Sequence, residues 1–238
     1  MSFKVVLFSS LFFSCFPVFG QYQPEKREKY PTTFGIQARG IVSSNFISPK
    51  LVQLPSDSIA SSMTHANGRS YGAVLRKTFS DQFAIESGLY YTSRAFNVAM
   101  EVKDSSLSAT NSFRYINYDI PINGLVFVKL SNYWFANAGL GLVTTFGVSD
   151  AGKNTNIGWN SKHQFSHEAS VLYKFGLDLN AQFGFEYRTD RSGTLYFGGS
   201  ARVGLTPVFA FSQFYRYIGN GNVNKQITEV AGGFLAFD

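Results

Sequence analysis

From Phe34 onward the chain alternates apolar and polar residues in stretches of about ten or more. A period of two is a strand signal, because successive side chains leave a β-strand on opposite faces. "KFGLDLNAQFGFEYR" (Lys174 to Arg188) shows it most fully. Phe175, Leu177, Leu179, Ala181, Phe183, Phe185 and Tyr187 share one face, and Lys174, Gly176, Asp178, Asn180, Gln182, Gly184 and Glu186 share the other. Seven more stretches read the same way: Phe34 to Ser43, Ser70 to Phe79, Phe83 to Arg94, Tyr115 to Lys129, Trp134 to Phe146, Thr194 to Leu205, and Ile227 to Phe237. Pro121 interrupts the fourth, where it marks an edge or a bulge.

The connectors carry a second signal. "SDQ", "LSNY" and "TDRSG" are short, whereas Ser44 to Arg69, Ala95 to Arg114, Gly147 to Tyr173 and Thr206 to Gln226 are long. Short and long connectors alternate strictly. That predicts an all-β fold, an eight-stranded antiparallel up-and-down barrel with tight turns at one end and long loops at the other.

The barrel has room inside for only one of the two faces. An eight-stranded lumen is just filled by side chains, too narrow for a dozen large aromatics. The polar face, rich in Gly, Asn, Ser and Thr, suits it better. That face supplies a mixed-sign network of Arg39, Arg76, Arg94, Lys129, Lys174 and Arg202 with Glu86, Asp119, Asp178 and Glu186. Buried charges need partners, so both signs are expected together. The apolar face is then turned to lipid. Its aromatics gather at two levels: Phe34, Phe79, Phe83, Trp134, Tyr187 and Phe237 by the tight turns, and Tyr71, Tyr91, Tyr118, Phe146 and Phe175 toward the loops. Two aromatic belts around an aliphatic band are what two membrane–water interfaces select.

Composition narrows the reading further. The 238 residues are 45% hydrophobic and 17% aromatic but only 15% charged, against an average nearer a quarter. "MSFKVVLFSSLFFSCFPVFG" reads as a cleaved export signal spanning residues 1–20, with lipoprotein processing at Cys15 as the rival. Cleavage after Gly20 removes the one Cys, so no disulfide staples the exported chain. Gln21 to Thr33 reads as a short tail, and residues 34–238 as the barrel domain. The net charge of +6 is scattered and gives no nucleic-acid footprint.

Three stretches carry a likeness to a family. They are "YGAVLRKTFSDQFAIESGLYYTSRAF" (Tyr71 to Phe96), "YINYDIPINGLVFVKLSNYWFANAGLGL" (Tyr115 to Leu142, with Tyr118-Asp119-Ile120-Pro121) and "SARVGLTPVF" (Ser200 to Phe209). With them the chain resembles the PorT-like outer-membrane β-barrels of Gram-negative bacteria. The ending "VAGGFLAFD" is similar to the signal read by the outer-membrane insertion machinery, through Gly232, Leu235 and Phe237. The resemblance implies an outer-membrane location and surface loops, with a few relatives linked to protein secretion.

Candidate chemistry is thin. "KHQFSHE" (Lys162 to Glu168) puts His163, Ser166, His167 and Glu168 in one long connector, read as a polar loop rather than a catalytic set. His65 does not complete a metal site by spacing. "GNGN" (Gly219 to Asn222) is turn chemistry. "FAFSQFYRY" (Phe209 to Tyr217) reads first as a strand extension stacking on neighbouring loops, and otherwise offers Phe209, Phe214, Tyr215 and Tyr217 as a loop contact patch for a partner protein or lipopolysaccharide. The expectation is a non-enzymatic, cofactor-free outer-membrane barrel with a filled lumen, a structural or partner-binding component surrounded by lipid and lipopolysaccharide. A narrow solute pore (through inward Gly139, Gly141, Gly198 and Gly204), a lipid-modifying enzyme and a soluble lipocalin-like barrel are the alternatives.

Overall fold

The computed structural model describes residues 30–42, 51–54, 59–102, 107–148, 150–157, 162–189, 193–218, 223–231 and 234–238. The expected export signal, Cys15, residues 21–29 of the tail, Gly219–Asn222 and Gly232 lie outside the described residues. The strands among them are β1 (Thr32–Val42), β2 (Leu51–Leu54), β3 (Ile59–Thr78), β4 (Phe83–Val102), β5 (Ser108–Lys129), β6 (Trp134–Gly147), β7 (Ala151–Ile157), β8 (His163–Val171), β9 (Phe175–Thr189), β10 (Gly193–Gly204), β11 (Pro207–Tyr217), β12 (Val223–Ala231) and β13 (Phe234–Phe237).

Eight of these pair in chain order, each antiparallel to the next: β1, β3, β4, β5, β6, β9, β10 and β13. β1 pairs with both β3 and β13, so the ring of pairings closes. A path across paired residues from Phe83 runs through Val126, Ala138, Phe183, Gly199, Phe237, Gly40 and Arg69. It returns to β4 at Ser93, ten residues further along the strand. A stagger of ~33 Å against ~38 Å of strand spacing tilts the strands by about 40°.

Two tight turns share one chemistry. In "FSDQF" the Phe79 and Ser80 amides donate to the Phe83 carbonyl, and the Ser80 hydroxyl accepts from the Gln82 and Phe83 amides. "LSNYW" repeats this with Leu130 and Ser131 donating to Trp134, and with the Ser131 hydroxyl accepting from Tyr133 and Trp134. Serine closes each turn by holding backbone N–H groups that no strand reaches. Pro121 lies inward within β5 and makes no break in the strand. The β4–β5 ladder lapses beside it, between the pairs Ser87–Ile122 and Tyr90–Asp119, and the Ser87 hydroxyl donates to the Pro121 carbonyl at 2.9 Å.

The polarity of the two faces reverses along single strands. In the lower part of β5, Tyr118, Ile120, Ile122, Val126 and Val128 are exposed on the outside, while Asn117, Asp119 and Asn123 are buried. In its upper part the outside holds exposed Thr110, Ser112 and Arg114, and the inside holds buried Ala109, Phe113 and Tyr115. β4 does the same. Exposed Ile85 and Leu89 lie opposite buried Glu86 and Thr92, and higher up exposed Asn97 and Glu101 lie opposite buried Phe96, Val98 and Met100. Such a reversal fits an outer medium that changes from oil to water part-way up the sheet. The change coincides with Tyr71, Tyr91, Tyr118, Phe146 and Phe175, which are successive register partners across five strands. Near the tight turns Phe79 and Phe83 are exposed, and Trp134 pairs with Tyr187, their rings 5.2 Å apart. From Trp134 to Phe146 the wall rises ~30 Å along the barrel axis, enough for a hydrocarbon core.

The long connectors are not open loops, contrary to expectation. β3, β4 and β5 continue well past the belt, and β2 adds to the upper part of β3. β7, β8, β11 and β12 form a second antiparallel sheet, in the order β12-β11-β8-β7. Phe209 and Phe211 of that sheet pack on Phe96, Phe113 and Met63 of the first, which makes a two-layer head above the barrel. A bulge between Ala66 and Arg69 lets β3 enter this head. Gly68 is required there, since a Cβ would lie 2.5 Å from the Ser93 carbonyl oxygen. The expected eighth strand also divides. Val223–Ala231 joins the head, and only Phe234–Phe237 enters the ring. Phe237 therefore faces outward beside Gly199 and Gly40, well above the turn-side rim where it was expected, because β13 enters from the head side and is four residues long.

The lipid-facing wall makes a direct prediction. Leu140→Arg, at a position 73% exposed in mid-wall, should lower folding stability in lipid vesicles by about 2–4 kcal/mol. Thr110→Arg, outside on the head, should change it by less than ~0.5 kcal/mol. Urea titration of the reconstituted proteins measures both.

Candidate functional site: the sealed lumen

Inward positions of β1, β3, β4, β5, β9 and β10, with Asp238 just after β13, place charges in the lumen at three levels. At the lowest, Arg76 and Glu86 are direct cross-strand partners, 2.6 Å apart, and Arg76 also reaches Glu186 at 2.5 Å. Arg188 holds the other oxygen of Glu186 at 2.8 Å. The amides of Gln182 and Asn137 donate to Glu86 and Glu186. Beneath them the Arg188 guanidinium lies 4.1 Å from the Phe135 ring centroid and 4.6 Å from that of Phe127. Phe127 is buried with Leu125 and Ala84, so apolar side chains close the turn end.

At the middle level Arg39 is paired with Asp238 at 2.9 Å and lies over the Tyr90 ring, 4.2 Å from its centroid. The Tyr90 hydroxyl donates to Gln37 at 2.6 Å. At the upper level Arg202 pairs with Asp119 at 2.8 Å and approaches Asp178 at 3.7 Å. Asp119 also accepts from Thr92 and from the Asn117 amide, and Arg94 donates to Asn117 at 3.4 Å. Arg202 and Arg94 lie under Phe234, 4.8 and 5.6 Å from its centroid, and this buried ring roofs the network. Above it stands the aromatic core of the head. Leaving any one of these charges alone in the dry lumen would cost several kcal/mol, so the pairing holds the inner wall in register.

The inward glycines make space for side chains rather than for water. Tyr90 lies against Gly72 and Gly88, where a Cβ at Gly88 would come within 2.9 Å of the ring. Tyr196 covers Gly184 and Gly198 in the same manner. At Gly139 the space belongs to Leu125, and at Gly141 to Asn123.

Of the residues expected in the polar interior, Arg39, Glu86, Arg94, Asp119, Asp178, Glu186 and Arg202 are buried inside the ring, and Arg76 is nearly so. Lys129 and Lys174 are not among them. Both are exposed at strand ends, where long ammonium side chains stay with water and headgroups. The expected charged network left out Arg188 and Asp238, and Tyr90, Asn123, Gln182 and Asn180, which lie on the polar face, join it through hydrogen bonds and ring contacts. Their signal was available, since each sits at an inward position of the same alternation. The expected contact patch is corrected as well. Phe209 is buried in the head core, Tyr215 packs on Phe165 and bonds His163 at 2.8 Å, and Tyr217 lies beside the His163 ring. Phe214 is half-buried. "KHQFSHE" is strand β8, with Phe165, His167 and Ala169 facing the first layer because residues two apart share a face. Among the described residues no three His, Cys, Asp or Glu side chains gather as a metal site.

The model of the outer membrane protein beta-barrel domain family matches residues 19–210. The chain belongs to this family. It is an outer-membrane β-barrel protein, and the match extends into β11, so it includes most of the head. Among solved structures, the outer membrane protein OprG from Pseudomonas aeruginosa is similar at 11% identity. That alignment covers 87% of this chain and 91% of that one, with a TM-score of 0.48. The β domain of the Bordetella autotransporter BrkA aligns at 9% identity over 86% of this chain and 98% of that one, with a TM-score of 0.18. Both scores lie below the level at which a common fold follows, and the assignment rests on the family match. A search of curated proteins gives no match.

Arg76 offers the sharpest test of the network. Arg76→Met leaves Glu86 without its cation and Glu186 with Arg188 alone, and should cost about 3–5 kcal/mol of barrel stability, read by urea titration in vesicles.

Proposed function

We propose that this chain spans the outer membrane as a sealed, non-enzymatic barrel whose work is done by its head, which binds a partner outside the lumen. The tight turns face the periplasm in this reading. Residues 1–20 act as the export signal, and Lys174 beside the upper belt meets lipid or lipopolysaccharide headgroups. Kinship with the PorT-like barrels, and with it a role in secretion, extends the same proposal. The insertion machinery is a partner only during assembly.

The observation that carries it is the filling of the lumen by paired side chains between Phe127 and Arg188 below and Phe234 and the head core above. This leaves a cavity of about 370 Å³ beside Gln37, Arg76, Glu186 and Tyr196 that opens sideways between β1 and β10 and does not run along the axis. A side-chain-filled cylinder has no path for solutes. Its distinctive investment of chain is instead the second sheet, which a lipid-spanning ring does not need.

Two measurements test the reading. In planar bilayers the reconstituted protein should give no steady single-channel steps, and such steps would overturn the sealed lumen. Replacing residues 150–171 by a short Gly-Ser turn should remove the proteins that co-purify with the detergent-solubilised full chain while the barrel stays folded. An unchanged set of co-purifying proteins would overturn the role of the head.

A further inference from the structure

The contact between the two layers of the head contains polar atoms that nothing satisfies. The Nε2 atoms of His65 and His167, both amide atoms of Gln213 and the hydroxyl of Ser61 are buried without a hydrogen-bond partner. The two histidines bracket an aromatic stack that crosses the contact. His65 meets Phe96 edge-on at 4.8 Å, Phe96 stacks on Phe113 at 5.2 Å, and Phe113 lies 5.5 Å from His167. His65 and the two phenylalanines belong to the first layer, and His167 belongs to the second. Both histidines stand beyond the tyrosine belt, outside the lipid-spanning wall.

The geometry points to an acid-released latch: protonation of His65 and His167 separates the second sheet from the β3–β5 layer and uncovers the aromatic faces between them. This inference goes beyond the proposed function and does not depend on which partner the head binds.

Three features support it. First, a neutral imidazole tolerates an aromatic pocket, whereas an imidazolium there is a charge stripped of water. Second, the charged groups acting on the two rings are cations: Arg94 from β4 on His65, and Lys153, the cross-strand neighbour on β7, on His167. Toward the same contact β3 presents Ser61, β5 presents Tyr115, β11 presents Gln213 and Tyr215, and β8 adds His163. The carboxylates of Glu101 and Glu168, and Arg114 and Arg216, are exposed on the opposite faces of their strands. Beside His167 the exposed carboxylate of Asp150, which accepts from the Val171 amide, lines the same cavity as Lys153 and Glu168. Third, the unsatisfied Gln213 and Ser61 mean that opening restores hydrogen bonds to water as well.

The direction with pH follows from burial. Burial and Arg94 push His65 down to about 4, and burial and Lys153 lower His167. A histidine lowered in the closed state contributes stability that is fully present above its free value, about 6.5, and is lost as pH falls toward the closed-state value. The closed head is thus favoured at neutral pH and weakens between about pH 6.5 and 4. As pH falls toward 4, protonation of His65 adds to the shift toward the open state.

A distance measurement by paired spin labels tests this in the full chain reconstituted in vesicles. Labels at Asn97→Cys and Glu168→Cys, exposed on the outer faces of the two layers, are the only thiols once Cys15 is changed to Ser. The expected result is one narrow distance at pH 7.5 and a growing, longer and broader population as pH falls to 4, reversed on neutralisation. The barrel's β-sheet circular dichroism should persist throughout. The His65→Gln/His167→Gln chain should keep the narrow distance at pH 4. If that double variant lacks the neutral-pH distance, each single variant must open at a lower pH than the parent. An unchanged distance at pH 4 in the parent, equal opening in the glutamine variants, or loss of the barrel over the same range would overturn the proposal.

Discussion

Lipid offers a peptide backbone no hydrogen-bond partner, and the ring answers that constraint by joining β1 to β3 along its length and to β10 through the four residues of β13. An open sheet would leave a row of N–H and C=O groups facing hydrocarbon. Once the ring is closed with a ten-residue stagger, the strand tilt and the lumen width follow, and the side chains have to fit the cylinder that results. The paired guanidinium and carboxylate groups, the tyrosines seated on glycines and the buried amides are responses to that fixed, narrow interior.

The same strands serve two solvents. β4 and β5 are built inside-out where Leu89 and Ile122 face lipid, and conventionally where Phe96 and Phe113 turn inward beneath exposed Asn97 and Arg114. The backbone need not change for this. A strand presents the same two faces along its length, and the medium on each side decides which residues may occupy them. The exposed upper sheet would show its aromatic inner face to water were it not covered, which gives the second sheet a physical reason to exist. The cover also isolates the charged interior from the head side, so the barrel's closure and the head's cohesion support each other. His167 in that cover and His65 in the layer beneath it keep buried ring nitrogens that no hydrogen bond satisfies.

The alternation alone determined much of this protein. Seven of the eight ring strands, the even strand number, the placement of the tight turns and the polar interior all follow from residues two apart sharing a face. "FSDQF" and "LSNYW" announced their turns through a serine that can bind free amides. Most of the inward charges were legible because charge on one face of an otherwise apolar alternation has nowhere else to go. Lys129 and Lys174 were misread because period two gives a direction but not a distance along the axis, and at a strand end that direction opens onto water.

What only the tertiary structure decided concerns partners distant in sequence. The strands seemed to stop at Arg94 and Tyr115 because the apolar and polar faces exchange there, and a reader who expects one polarity takes the exchange for a loop. That Phe209 pairs its surface with Phe96, or that His167 comes within 5.5 Å of Phe113, depends on two connectors folding onto each other. The departure of residues 223–231 into the head, leaving four residues to complete the ring, likewise turns on competition between two sheets for one stretch of chain. Local periodicity specifies that a segment is a strand. Which sheet receives it is settled by the surfaces left uncovered elsewhere, and those exist only once the chain has folded.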